Sequence, residues 1–166
     1  MAASGPTPEL RVGNGFDVHR WSDDPSRPLV IGGVVFDGAR GLEGHSDADP
    51  VAHACTDALL GAAGLGDIGS LFPDTDERWK GADSVALLES AARQVREAGW
   101  AIQNVDCTVV LDSPKLAPVR EAVQARLSAA VGASVTVKGK RTEGVGALGR
   151  GEGVVAWAVA LIVRSG

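Results

Sequence analysis

The chain is sparing with the residues most often recruited to reactive centres: of 166 residues, three are histidine and two are cysteine. Two cysteines exclude a disulfide-dense secreted scaffold. Cys55 and Cys107 both sit in apolar contexts and read as buried free thiols in a reducing compartment. A run of about 18 apolar residues is missing, which excludes a membrane-spanning helix. A basic excess is missing too. The 16 Lys and Arg stand against 21 Asp and Glu for a net charge of −5, and no basic patch stands out, which argues against nucleic acid as the main partner. A small anion held by metals, backbone amides and a few Lys or Arg stays open. The N-terminal run lacks the charged-then-apolar pattern of a signal, so residues 1–9 read as a frayed tail and the expected location is the cytoplasm. With no internal repeat and no linker, residues 10–166 are expected to form one domain large enough to bury a core.

What is present is a regular alternation of strand and helix patterns. Residues 10–19 read as a strand broken by Gly13 and Gly15, and Leu29–Ile31 with Val34–Phe36 read as a hairpin around Gly32-Gly33. Residues 40–49 and 66–81 read as loops. Helical spacing marks 48–63 (Val51, Cys55, Leu59, Ala62), 84–98 (Val85, Leu88, Ala92, Val95) and 117–131 (Val119, Val123, Leu127, Ala130). Residues 102–111 alternate as a strand, 135–138 form a short one, 140–150 a glycine-punctuated loop, and 154–163 an almost wholly apolar strand covered on both faces. The order predicts an α/β or α+β fold, a sheet backed by helices on one face. Such a sheet needs a cover for its other face, and a symmetric oligomer is the economical one.

The candidate chemistry centres on Asp17, His19 and His53. Asp17 and His19 are two apart on a strand and so share a face. His53 falls in the first turn of a helix, where Pro50 is at home. One carboxylate and two imidazoles leave a tetrahedral zinc with an open fourth position, the mark of a catalytic site. Asp49 and Asp57, one turn either side of His53, are placed to orient its imidazole. The run Gly44-His-Ser-Asp-Ala-Asp49 reads as a polar loop capping that helix, with Asp47 or Asp49 as the cap; His45 and Ser46 can at the same time donate to an anion near the metal. Phe72-Pro-Asp-Thr-Asp76 is either a plain turn or a binder of substrate hydroxyls. Asp67 beside Ile68-Gly69 either clasps a ribose or ends a helix. Ser113-Pro-Lys115 lies at a strand's carboxyl end, a favoured ligand position. Lys138–Glu143 packs three cations and an acid and reads as a phosphate-facing loop. Gly149-Arg-Gly-Glu-Gly153 has no helix after it and is not a dinucleotide fingerprint; its Arg and Glu read as an ion pair in a tight place.

From Arg11 to Arg164 these segments, in this order, resemble the 2-C-methyl-D-erythritol 2,4-cyclodiphosphate synthase family. The resemblance rests on Gly15-Phe-Asp-Val-His19, Gly44-His-Ser-Asp47, His53 with Thr56–Gly61, Gly66-Asp-Ile-Gly69, Phe72–Asp76, Lys80-Gly-Ala-Asp-Ser84, Pro114-Lys115 and Gly149–Gly153. It implies a homotrimer with sheets around the three-fold axis and active sites between subunits. It implies conversion of 4-diphosphocytidyl-2-C-methyl-D-erythritol 2-phosphate to the cyclic diphosphate with release of CMP, the substrate's own phosphate acting as nucleophile. It implies zinc on Asp17, His19 and His53, and Glu143 helping to hold a second ion, Mg²⁺ or Mn²⁺, between the substrate phosphates. It assigns His45 and Ser46 to the attacking phosphate; Asp67, Ile68, Gly69 and Phe72, Pro73, Asp74, Thr75, Asp76 to the diol; and the segment with Leu111, Ser113, Pro114, Lys115 and Ala117 to cytosine.

Departures from that pattern are informative. Lys140 and Arg141 stand in a run of family threonines, with Thr142 retained, so Arg141 is expected to stabilise the transferring phosphate by charge where a threonine does so elsewhere by its hydroxyl. Ala48 stands where glycine is common. Ala147 replaces a frequent phenylalanine and, with Arg150, marks the position of an axial cavity for isoprenoid diphosphates. The competing expectation is a trimer that keeps the metal, lacks turnover and binds isoprenoid diphosphate.

Overall fold

The computed structural model describes residues 8–164. Residues 1–7 of the expected tail lie outside the described residues, whereas Glu9 is held: its carbonyl accepts from Arg164 N at 2.9 Å and its carboxylate pairs with Arg11 and Arg164. In chain order the elements are β1 (Leu10–Arg20), β2 (Leu29–Ile31), β3 (Val34–Phe36), α1 (Pro50–Ala63), α2 (Ile68–Leu71), α3 (Ser84–Glu97), β4 (Trp100–Val110), α4 (Arg120–Val131), β5 (Ser134–Lys140), α5 (Gly146–Gly149) and β6 (Gly153–Arg164). Four strands form a mixed sheet in the order β1-β6-β4-β5, with β4 and β5 parallel and the other pairs antiparallel; β2 and β3 form a separate hairpin.

The first strand is not broken at its glycines. Gly13, Gly15, Asp17 and His19 alternate onto one face of β1, the face that α1 covers. A Cβ at Gly13 would lie 2.5 Å from Ala62 N, and one at Gly15 would lie 2.7 Å from Ala58 N and nearer still to Ala54 O. These glycines let the helix backbone rest on the strand, and Ala54, Ala58 and Ala62, four apart, form the matching stripe on α1. The close contact fixes the first turn of α1, and with it His53, over the end of β1 that carries Asp17 and His19.

Asp49 joins this unit to the hairpin. Its carboxylate caps α1 through Val51 N and Ala52 N and also accepts from Gly32 N at 2.8 Å and Gly33 N at 2.6 Å. Gly32 and Gly33 both have positive φ, 58° and 74°, as a two-residue hairpin turn of this kind requires. Burial pushes the Asp49 carboxyl up to about 6 in spite of these donors. Asp49 therefore serves backbone amides and not the His53 imidazole, contrary to the expectation from spacing.

The helices cover one face of the sheet. Val105, Cys107 and Val109 along β4, Leu111 just past its end, and Val154, Ala156, Ala158, Ala160 and Ile162 along β6 are buried beneath them. Each fully buried Val or Ile among them contributes about 1.5–3 kcal/mol. The opposite face of β6 is open on the single chain, so the expected cover on that side is not supplied by this chain: Trp157 is 57% and Val159 43% exposed, beside Val12, Phe16 and Val18 of β1. Phe16 and Trp157 pack edge to face there at 6.1 Å. Cys55 and Cys107 are free and buried in the core, as expected.

Local chemistry accounts for the remaining boundaries. Helix α4 begins at Arg120 and not at 117, because Pro118 biases Ala117 away from helical ψ. Residues 66–81 are not a plain loop: they hold α2, capped by Asp67, and a 3₁₀ turn over Glu77–Trp79, capped by Asp76. Likewise α5 interrupts the expected loop over 140–150.

Candidate active site

Asp17 Oδ2, His19 Nε2 and His53 Nδ1 form a nearly equilateral triangle: 3.0 Å from Asp17 to His19, 3.3 Å from Asp17 to His53 and 3.1 Å between the imidazoles. The other ring atoms decide what these three atoms present. His19 Nδ1–H donates to Glu43 O at 2.8 Å, which leaves a lone pair on Nε2. His53 Nε2 lies 2.8 Å from Ser84 Oγ and 3.1 Å from Ser46 Oγ. Ser84 Oγ–H donates to Asp47 Oδ1, so its oxygen is left to accept from His53 Nε2–H, and Nδ1 also carries a lone pair. Three lone-pair atoms thus converge, and Asp17 Oδ2 is buried with no donor. That arrangement calls for a cation. Ligand atoms of a tetrahedral site with bonds of about 2.0–2.1 Å stand about 3.3 Å apart, close to the sides observed.

Electrostatics agree. Burial opposes ionisation of Asp17, yet the two imidazoles beside its carboxylate outweigh it and hold the carboxyl at about 2. Burial likewise opposes a charge on His19, and the Asp17 carboxylate and Glu43 carbonyl overcome it, raising its pKa. Without a metal, a proton is drawn into the triangle. Among the described residues this is the one group of three or more His, Cys, Asp or Glu side chains arranged for an ion.

The triad forms one wall of a cavity of about 440 Å³ that also receives His45, Ser46, Ile68, Gly69, Phe72, Pro73 and Asp74. Trp79 and Leu87 complete it, with Trp79 edge-on to Phe72 at 5.1 Å. His45 Nε2–H donates to Asp76 O at 3.2 Å. The carboxylates of Asp67 and Asp76 are occupied: Asp67 accepts from Ser70 N and Oγ, and Asp76 pairs with Arg78. Thr75 is exposed outside the cavity lining. Asp57 accepts from Ile68 N at 2.8 Å and so ties α1 to α2; like Asp49, it does not bond the His53 imidazole.

The remaining expected residues lie elsewhere on the chain. Leu111, Lys115, Ala117, Lys140 and Arg141 line a second cavity of about 300 Å³, together with Asp112 and Arg120. Thr142 is buried and bonds the Asp112 carboxylate through N and Oγ1, while Arg141 Nε stands 3.6 Å from the same carboxylate. Ser113 and Pro114 line a third cavity with Trp21 and Arg40. Lys138 and Lys140 belong to β5 and not to a loop, and Lys138 pairs with Asp106. Glu143 is exposed and apart from the triad, with a left-handed φ of 52°. Ala48 has φ 58°, which explains the glycine preference at its position. Ala147 and Arg150 are exposed on and just after α5, and Arg150 pairs with Glu152 at 2.7 Å on the surface of the single chain.

The YgbB family model matches residues 10–163. The chain belongs to the YgbB family. Two relatives named 2-C-methyl-D-erythritol 2,4-cyclodiphosphate synthase illustrate the likeness: that of Laribacter hongkongensis is 56% identical over 156 residues, covering 92% of this chain and 95% of its own, and that of Burkholderia thailandensis is 54% identical over 159 residues, covering 94% and 97%. Among solved structures, the bifunctional IspDF of Campylobacter jejuni aligns with a TM-score of 0.89 at 42% identity over 96% of this chain and 43% of its own. The IspF–CDP complex of Plasmodium falciparum aligns with a TM-score of 0.82 at 28% identity over 97% and 100%. The fold is thus that of the YgbB proteins of known structure. Sequence reading of this YgbB chain overlooked Ser84, Asp47 and the Glu43 carbonyl as supports of the imidazoles. Ser84 closes the Lys80–Ser84 motif, and its place at the head of a second helix was the available signal.

Proposed function

We propose that the chain converts 4-diphosphocytidyl-2-C-methyl-D-erythritol 2-phosphate to 2-C-methyl-D-erythritol 2,4-cyclodiphosphate and CMP, as a phosphorus–oxygen lyase of isoprenoid biosynthesis in the cytoplasm. The observation that carries this reading is the triangle of lone pairs around the donorless Asp17 Oδ2, in a chain more than half identical to synthases of that name. Asp17, His19 and His53 would hold zinc, and Glu143 would contribute to a Mg²⁺ or Mn²⁺ site at the substrate phosphates. A bound divalent ion supplies Lewis acidity and neutralises phosphate charge.

The chain's own groups do the rest by position. Attack of one phosphate on another brings like charges together, so catalysis rests on alignment and charge neutralisation more than on proton transfer. His45 and Ser46 border the triad cavity and are suited to hold the attacking phosphate. Ile68, Gly69, Phe72 and Pro73 shape the same cavity for the methylerythritol part and exclude water. Lys115, Lys140 and Arg141 surround the other cavity with cations suited to a cytidine diphosphate.

These two cavities are separate on one chain, and the open sheet face carries Val12, Phe16, Val18, Trp157 and Val159. A homotrimer packed on that face accounts for both features, covering the apolar strands and allowing cavities of neighbouring subunits to meet. Arg150 would pair with an isoprenoid diphosphate held near such an axis.

The test is ³¹P NMR of the product with the cytidylyl substrate, together with metal content and oligomer mass. Cyclic diphosphate and stoichiometric CMP from a zinc-containing trimer are expected. A linear phosphate product, or turnover indifferent to Asp17→Ala, His19→Ala and His53→Ala, overturns the reading.

A further inference from the structure

We propose that Arg27, which none of the site motifs includes, is a positioning residue for both imidazoles of the triad. It lies between β1 and β2. Its Nε donates to Leu42 O and a terminal guanidinium nitrogen donates to Ser46 O. Between those two carbonyls runs the segment Glu43-Gly44-His45. At one end of that segment Glu43 O takes the Nδ1 proton of His19. At the other, Ser46 Oγ meets His53 Nε2. One planar guanidinium therefore sets the span of the loop that fixes the tautomer of His19 and supports the ring of His53 beside Ser84. A guanidinium does this well because its donors are held in a rigid fork.

The base of the fork is itself fixed. Arg27 N donates to Asp24 O at 3.2 Å, and a Cβ at Gly41 would lie 2.6 Å from Pro28 O, so the loop returns directly against the Arg27–Pro28 backbone. Gly44 is also tightly packed, a Cβ there falling 3.2 Å from His19 Cε1. Slack in the span between Leu42 and Ser46 would be felt at once by the ring of His19. Arg40 is the natural comparison: it also bonds this region, but its donors go to Ser22 O and Asp23, outside the 42–46 span.

The inference rests on the metal reading of the triad, and its test separates the two. Zn²⁺ and Co²⁺ are each offered alone to the full chain, with affinity read by chelator competition and geometry by the visible absorption of the cobalt form. Arg27→Met keeps the aliphatic bulk and loses both donors. It is expected to weaken metal affinity by about 10–100-fold, as loss of a ligand's supporting partner does, and to shift the cobalt bands. Arg27→Lys reaches one carbonyl and is expected to fall between; it carries the test alone if Arg27→Met does not fold. Arg40→Met is expected to match the unsubstituted chain. Wild-type affinity and an unshifted cobalt spectrum in Arg27→Met overturn the proposal, as does an equal loss in Arg40→Met, which would mark a general loosening of the loop. An unsubstituted chain that takes up neither ion overturns the metal reading, and this proposal with it.

Discussion

Ser84 Oγ stands 2.8 Å from His53 Nε2 and donates its own hydrogen bond to Asp47, so a helix-initiating serine dictates which nitrogen of His53 faces the triad. Asp47 in turn accepts from Ser84 N at 3.1 Å, locking the pair. Ser84→Ala removes the acceptor that is 0% exposed and leaves Ser46 Oγ, at 3.1 Å, as the support. Metal affinity is expected to fall by about 10–100-fold, read by chelator competition. Ser84→Thr, which keeps the hydroxyl, should retain most of it. Equal affinity for Ser84→Ala and the unsubstituted chain would show that Ser46 alone orients the ring.

The seat of α1 on β1 makes a second prediction with an internal control. Gly15→Ala places a methyl group against the backbone of Ala54 and Ala58, atoms that cannot swing aside. The helix must lift, at a cost of about 1–3 kcal/mol or more, and because His53 rides on that helix, metal binding should weaken as well. Gly61→Ala lies on the same helix, with the nearest atom, Asn14 O, at 3.9 Å and no positive φ. There the change should be neutral or stabilise by up to about 1 kcal/mol. Urea midpoints and zinc titration of the two variants provide the check; a Gly15→Ala protein as stable as the Gly61→Ala protein would contradict the packing described.

The same contact shows why some of the site could be read from sequence and some could not. Asp17 and His19 were legible because period two forces them onto one face, and His53 because Pro50 and the apolar spacing marked a helix start. Gly13 and Gly15 looked like breaks, since a strand glycine has no visible purpose until the helix resting on it is known. Asp49 looked like a partner of His53 at one-turn spacing. At the N-cap, however, a carboxylate turns to backbone amides, and the hairpin glycines, distant in sequence, complete its shell. Ser84 is 31 residues from His53, and only the packing of α1 against α3 brings them together. The apolar run of β6 was legible as burial on both faces, but such a run does not say whether this chain or another supplies the second cover.

Protonation of the triangle gives a third prediction. His19 holds its proton above its ordinary value of 6.5, chiefly because the Asp17 carboxylate outweighs the effect of burial. A metal must displace that proton. Apparent zinc affinity should therefore drop on acidification through a transition above pH 6.5, and Asp17→Asn should move that transition down. In the metal-free chain the signs are opposite for the two partners. The raised His19 contributes stability below pH 6.5 that is lost as pH rises through its folded value. Asp17, lowered from 3.8 to about 2, contributes stability above pH 3.8 that is lost as pH falls toward 2, roughly 2 kcal/mol. The triangle's own contribution, read as the difference in urea midpoint between the metal-free unsubstituted chain and metal-free Asp17→Asn, should accordingly peak between about pH 4 and 6.5.

Arg141 supplies the last prediction. It stands where the family carries threonine, beside Lys115, Lys140 and Arg120, and 3.6 Å from an Asp112 carboxylate already bound to Thr142. Asp112 tethers the guanidinium near the cavity and also opposes any phosphate that arrives there, so the two residues act as a pair. Arg141→Ala removes the attraction and leaves the repulsion, and kcat/KM for the cytidylyl substrate should fall by about 10–100-fold, the worth of a hydrogen bond to a charged group. Arg141→Ala with Asp112→Asn should recover part of that loss, and Arg141→Thr, which restores a neutral donor, should stand above Arg141→Ala. The penalty of Arg141→Ala should shrink as salt rises, because 74% of the Arg141 side chain is open to solvent and its field is screened. Unchanged kinetics in Arg141→Ala would place the diphosphate away from this guanidinium, and Thr142, locked to Asp112, would then be the hydroxyl left in that run.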